Sequence, residues 1–184
     1  MNPKQNTVQE LLVRAEHAKT QGQDAVARAL WLSAIDLDHN NAMIHRELTL
    51  SFGEQLDNTP ALHHAHMWFL AQPAAPEARW VYGLMLYRAN QLDYAIKILT
   101  PLSQSHPTWH NINLVMAKIH FTQRTLNLSD FYFKQAVLQT THSPQEEAST
   151  RWEYAMQQLT EGRYADGWDN HEARLKSIGW AQLH

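Results

Sequence analysis

Apolar residues recur along this chain three and four positions apart, as in Leu11, Leu12, Ala15 and Ala18 and again in Ala27, Leu30, Trp31 and Ala34. That is the spacing of one face of an α-helix, and the strict alternation of a half-buried strand is hard to find. Turn-forming residues interrupt the pattern at Gly22, Asp57 to Pro60, Pro73 to Pro76, Asn90-Gln91, His106-Pro107, Thr141 to Pro144 and Gly162. The segments between them are about 12 to 15 residues long, the length of one helix in a helical hairpin. The pattern predicts an all-α chain of paired helices, with Pro101 kinking or ending one of them early.

Equivalent residues return at a fixed step. Ala27, Ala61, Ala95 and Ser129 lie 34 residues apart, as do Ala15, Thr49, Gly83 and Ala117, and Pro73 and Pro107 repeat the step at the ends of their units. Small side chains are needed where two antiparallel helices approach to roughly 8 to 10 Å, so the two series mark the crossing point of each hairpin. One turn further along each second helix, Trp31, Leu99 and Phe133 are placed to fill the space toward the next unit, with Ala34, Trp68, Leu102 and Ala136 in a companion series. After the fourth unit the small pair reappears as Ala155 and Gly167, a step of 38, so four residues are inserted in the loop 141–147. Trp168, beside Gly167, is expected to pack between helices.

A period of 34 is that of the tetratricopeptide repeat (TPR). The run from Gly22 through Ala27 and from Ala34 through Asn41 resembles the second half of that motif, with His39 where the motif usually has Pro. Residues 80–107 resemble it again through Gly83, Ala95 and Pro107, whereas the second unit departs from it, with Leu56 at the turn glycine and Ala65 at a large aromatic position. The resemblance implies a right-handed superhelical solenoid of about five hairpins in a single domain over 1–184, with units at about 8–41, 42–75, 76–109, 110–143 and 148–184. The segment Glu161-Gly-Arg-Tyr-Ala-Asp-Gly-Trp-Asp-Asn-His-Glu-Ala-Arg174 is also similar to the repeat ending of bacterial TPR proteins that carry a glycosyltransferase domain downstream, with His171 replacing a Tyr.

Composition narrows the function. The 184 residues are 44% apolar and 18% charged with a net charge of −3, enough apolar material for a packed core and no positive field to hold phosphate, so nucleic acid is not an expected partner. Cysteine is absent, and no apolar run reaches the ~18 to 20 residues that span a bilayer, so a soluble cytoplasmic protein without membrane insertion is expected. No nucleophile elbow, phosphate-cradling loop or dinucleotide fingerprint occurs, and the expectation is of no enzyme and no cofactor. Among twelve histidines the densest group is His63-His64-Ala65-His66, where His63 and His66 share a helical face. Without a third and fourth ligand the group reads as a solvated polar face, and no metal is expected.

The resemblance further implies that positions 2, 5, 9, 12 and 13 of each first helix line a concave wall. These map onto Leu12 and Glu16, Arg46 and Leu50, Trp80, Leu84, Tyr87 and Arg88, Asn111, Leu114, Lys118 and Phe121, and Trp152 and Met156. Leu12 and Glu16 do not match the family's carboxylate-clamp pattern. Aromatics mixed with a few cations are the composition of an interface, and Arg46, Trp80, Leu84, Tyr87, Arg88, Asn111, Lys118, Phe121 and Trp152 are its candidate residues. A non-catalytic module that holds a protein or peptide segment in its groove is the expected function. The alternatives are a substrate-recruiting arm of a larger enzyme such as a glycosyltransferase, and a homo-oligomer formed through Trp180 and Leu183.

Overall fold

The structure is a computed structural model that describes residues 3–140 and 143–172. It is helical from end to end: α1 (Pro3–Thr20), α2 (Asp24–Ile35), α3 (Ala42–Glu54), α4 (Asn58–Ala71), α5 (Pro76–Arg88), α6 (Leu92–Ser105), α7 (His110–Thr122), α8 (Leu126–Gln139), α9 (Pro144–Thr160) and α10 (Tyr164–His171). No strand occurs among the described residues. Polar caps and prolines set several of these starts. Asn41 Oδ1 accepts from the Met43 and Ile44 amides at 3.1 and 3.3 Å, and Pro76 and Pro144 open α5 and α9, where a missing N–H costs nothing. Pro101 does not end α6, which continues to Ser105.

Every hairpin turns the same way. The second residue after each first helix is left-handed: Gly22 (φ 71°), Leu56 (58°), Asn90 (57°), Arg124 (59°) and Gly162 (79°). These are the 34-residue step, then the 38-residue step. In each turn the next amide closes on a carbonyl of the preceding helix: Gln23 to Ala18, Asp57 to Phe52, Gln91 to Leu86, Thr125 to His120 and Arg163 to Gln158, all at 2.9 to 3.0 Å. This is the Schellman termination, in which a left-handed residue lets the chain reverse while satisfying a terminal carbonyl.

The chain divides at Ile98 and Leu99, within α6, into two compact units. In the first, Ala15, Ala27 and Ala61 are fully buried and Thr49 nearly so, its hydroxyl satisfied by the His45 carbonyl at 2.8 Å. Val8, Trp31, Ile44 and Leu48 pack around the first of these crossings, and Ala61, Ala65 and Met85 form a second cluster with Phe52, Val81 and Leu84 against it. Trp31 and Trp68 are 4% exposed, core residues as their positions predict. Lys19 and Arg46 lie over their rings at 5.7 and 5.9 Å, and both reach Glu47, the buried carboxylate of α3.

In the second unit Ala117, Ser129 and Ala155 are fully buried, and the Ser129 hydroxyl donates to the Ala117 carbonyl at 2.8 Å, so a polar residue serves at the crossing without an orphaned group. Phe133 stacks on Tyr154 with ring centroids 5.0 Å apart. Asp130 of α8 ties the next two helices to its own: it accepts from the Tyr154 hydroxyl of α9, from Arg163 at the start of α10 (2.7 Å), and pairs with Lys134 (2.6 Å). Burial alone would raise the Asp130 carboxyl, but bonds from Arg163, Lys134 and Tyr154 outweigh it and hold it at about 2. Trp168 departs from expectation. Gly167 turns to α9, where Leu159 leaves no room for a Cβ, and the next residue is rotated about 100° away; Trp168 is 55% exposed, with His171 edge-on at 5.2 Å.

These features make three outcomes measurable. Leu56 is 73% exposed in a left-handed turn that favours glycine, so Leu56→Gly should stabilise by about 1 kcal/mol, read as a rise of roughly 2 to 4 °C in melting midpoint. A Cβ at Gly167 would stand 2.7 Å from Leu159 Cδ2 and 3.2 Å from its backbone nitrogen, so Gly167→Ala should cost about 1 to 3 kcal/mol in denaturant titration. Because the folded state keeps Asp130 ionised below its ordinary 3.8, its contribution is complete above pH 4 and is lost as pH falls from there toward 2. Asp130→Asn should flatten acid unfolding in that interval.

Candidate functional site

The candidate wall residues fall on the first helices of each unit. In the first unit, Arg46 on α3 is exposed but engaged, its guanidinium shared between Glu47 and the Trp68 face. Arg88 at the end of α5 is exposed and reaches the Gly53 carbonyl at 3.4 Å, so α5 and α3 are bridged along the wall. Trp80, Leu84 and Tyr87 are half-buried, Leu84 being packed against the Ala61, Ala65 and Met85 cluster. Leu12 is likewise half-buried against the core, and with Lys4, Val8, Gln9 and Leu37 it borders a cleft of about 520 Å³ beside the linker between α2 and α3.

In the second unit, Asn111 on the first turn of α7 is exposed, and Lys118 one helical face further pairs with Glu153 of α9 at 2.6 Å. That pair joins the two first helices of this unit across their shared surface. Phe121 is half-buried with the Arg124 guanidinium 5.8 Å from its centroid, and Trp152 is 43% exposed. Leu114 packs against the Ala117, Phe133 and Tyr154 cluster and belongs to the core edge.

The positional reasoning missed a second surface. A cleft of about 590 Å³ lies over α9 between α8 and α10, with Leu138 and Tyr154 in its lining and Lys134, Arg151, Asp166 and Asp169 around it. Exposed Leu138 on α8, on the face opposite Ser129 and Phe133, carried the available signal.

The histidines resolve differently from the sequence expectation. His63 and His66 are exposed and turn to different partners, His63 edge-on to His64 at 5.1 Å and His66 stacked on Tyr82 at 5.0 Å. His64 is not part of a solvated face. It is 8% exposed, its Nδ1 is 3.0 Å from Nδ1 of His45, itself 2% exposed, and its ring stacks on Phe52. Burial pushes both rings below their ordinary value, His64 to about 4. Among the described residues no group of three or more metal-ligating side chains converges. No described helix is long and apolar enough to cross a membrane. Trp180 and Leu183, and the last two residues of the 161–174 segment, lie outside the described residues.

No protein-family model matches the chain, and no curated protein matches it in sequence. Solved structures do match. MamA from Desulfovibrio magneticus RS-1, residues 41 to the end, superimposes with a TM-score of 0.77 at 12% identity, covering 97% of each chain. YrrB, described as a TPR protein with an unusual peptide-binding site, gives 0.73 at 11% identity over 96% of this chain and 92% of its own. PilF of Pseudomonas aeruginosa gives 0.70 at 15% identity over 95% and 78%. Taken with the left-handed turn at each 34-residue step, these likenesses show that the chain has the fold of the tetratricopeptide-repeat proteins.

Proposed function

We propose that the chain is a non-catalytic interaction module that holds an extended or helical segment of a partner protein on the first-helix wall of its second unit. Trp152 carries the reading. It is 43% exposed while Trp31 and Trp68 are 4% exposed, and unlike the exposed Trp168 of α10 it occupies a first helix. A large aromatic with a rigid ring is the residue type that anchors interfaces, and Phe121, Lys118 and Asn111 on α7, the other first helix of this unit, offer apolar area, a cation and an amide able to bond a peptide backbone. The wall of the first unit, with Arg46, Trp80, Leu84, Tyr87 and Arg88, is a further surface of the same kind, more heavily committed to internal contacts. The likeness to YrrB supports a peptide ligand by analogy of fold. The recruiting-arm alternative rests on the 161–174 segment alone.

Peptides selected from a random library on the full chain provide the probe. Trp152→Ala should weaken the selected peptides by about 2 kcal/mol or more while leaving the melting midpoint close to that of the parent chain, whereas Trp31→Ala should lower the midpoint strongly. Selected peptides that bind Trp152→Ala as tightly as the parent, or a Trp152→Ala chain that unfolds as readily as Trp31→Ala, would contradict the reading.

A further inference from the structure

The linkers between hairpins are held by one recurring bond. In the linker before α5 the Pro73 carbonyl accepts from Arg79 (3.2 Å), and before α7 the Pro107 carbonyl accepts from Asn113 (3.0 Å). Before α3 the His39 carbonyl is bonded by His45 Nε2 at 2.9 Å. Residues 45, 79 and 113 are successive members of the 34-residue series, each six positions beyond the carbonyl it binds. Of the three donors, a guanidinium, an amide and an imidazole, only the imidazole is held neutral by burial.

The geometry fixes both tautomers. A carbonyl only accepts, so His45 Nε2 carries the proton, its Nδ1 is a bare acceptor, and His64 Nδ1 must be the N–H that faces it at 3.0 Å. One chain of bonds thus runs from α4 through His64 and His45 to the linker, made with both rings neutral. A second proton on His45 can go only to Nδ1; His64 must then move its own proton to Nε2 to accept, and the cation so formed lies on a ring that is 2% exposed. A second proton on His64 goes to Nε2 and creates a cation on a ring that is 8% exposed and stacked on Phe52.

Among the described residues no anion is placed to compensate such a charge. From α4, His63 lies edge-on to His64 and disfavours a charge on either ring. From α2, Arg28 sits over the far partner of that stack, Phe52, at 5.2 Å. On α3, Glu47 is already held by Lys19 and Arg46, and in the linker Asp38 is bonded to Asn41 at 2.9 Å. From α5, Tyr82 meets His66, not the pair. Among the described residues no carboxylate bonds to either ring.

We propose that His45 and His64 form an acid-operated latch that holds α3 to the linker before it and to α4 while both rings are neutral, and releases them when either ring takes a proton. The sign follows from the neutral folded state. Rings of ordinary affinity in the opened hairpin gain protons below about pH 6.5 while the closed pair resists, so the latch is at full strength above that pH and weakens progressively toward pH 4.

Amide hydrogen exchange on the full chain at pH 7.5 and 5.0, corrected for intrinsic rates, compares the three linkers through equivalent amides: His45 bonded to Asn41, Arg79 to Ala75 and Asn113 to Trp109. Protection at His45 and across 61–65 should fall by about 10-fold or more at pH 5.0, with smaller changes at Arg79 and Asn113. An unchanged His45 amide, or an equal loss at all three linkers, would overturn the proposal. His64→Asn keeps an N–H for His45 and cannot titrate, so it should flatten the response. Should that chain not fold, ring-nitrogen NMR on the unaltered protein decides: His45 as the Nε2–H and His64 as the Nδ1–H tautomer, both neutral at pH 5.5, support the latch, and either ring titrating near pH 6.5 overturns it.

Discussion

Two helices that run back along each other can approach only as closely as their side chains allow, and in this chain the limit is set by one small residue on each partner. Ala15 with Ala27, Ala117 with Ser129 and Ala155 with Gly167 are buried at that approach, and Thr49 with Ala61 repeats it. Everything else in each unit is organised from this contact. Trp31, Trp68 and Phe133 fill the space one or two turns beyond it, and the left-handed turn between the helices brings the second small residue opposite the first. Where the small residue is polar, the structure supplies a carbonyl for its hydroxyl, as His45 does for Thr49 and Ala117 for Ser129. The crossing tolerates a hydroxyl because a carbonyl within reach satisfies it.

That contact is also what made the fold legible from residues alone. A requirement for small volume at a fixed step leaves a trace in sequence, and Ala27, Ala61, Ala95 and Ser129 record it. The turns left a weaker trace, since a left-handed φ is announced by Gly22 and Gly162 but concealed at Leu56 and Arg124, where the Schellman bonds impose a conformation that the residue type does not favour. Of the kink or early end expected at Pro101, the early end does not occur. A proline removes one donor and crowds one turn, and α6 absorbs that and continues to Ser105.

The side chains with chemistry were less legible, for reasons particular to each. His64 sits between two exposed histidines in the chain, and only the packing of α4 on α3 separates it from them, bringing it to a ring nineteen positions earlier. Trp168 shares a helix with Gly167 but not its face, and adjacency in sequence says nothing of which side meets α9. On the wall, the repeat position identified Trp152 as outward-facing, yet could not reveal that Lys118 is paired with Glu153 or that Arg46 is engaged with Glu47, since ion pairs between helices depend on side chains reaching across the structure. The candidate surface is therefore narrower than the positional list: Trp152, Phe121 and Asn111 stand where a ligand could use them without first breaking an internal pair.

The account stands or falls on which tryptophans meet a ligand. Labelling the chain with 5-fluorotryptophan and following the fluorine spectrum while a selected peptide is added assigns the contact directly, with single substitutions identifying each resonance. The account predicts that the Trp152 signal shifts with saturation while those of Trp31 and Trp68 stay in place. A peptide that saturates the chain while Trp152 remains unmoved, with Trp168 or a core tryptophan responding instead, would contradict it.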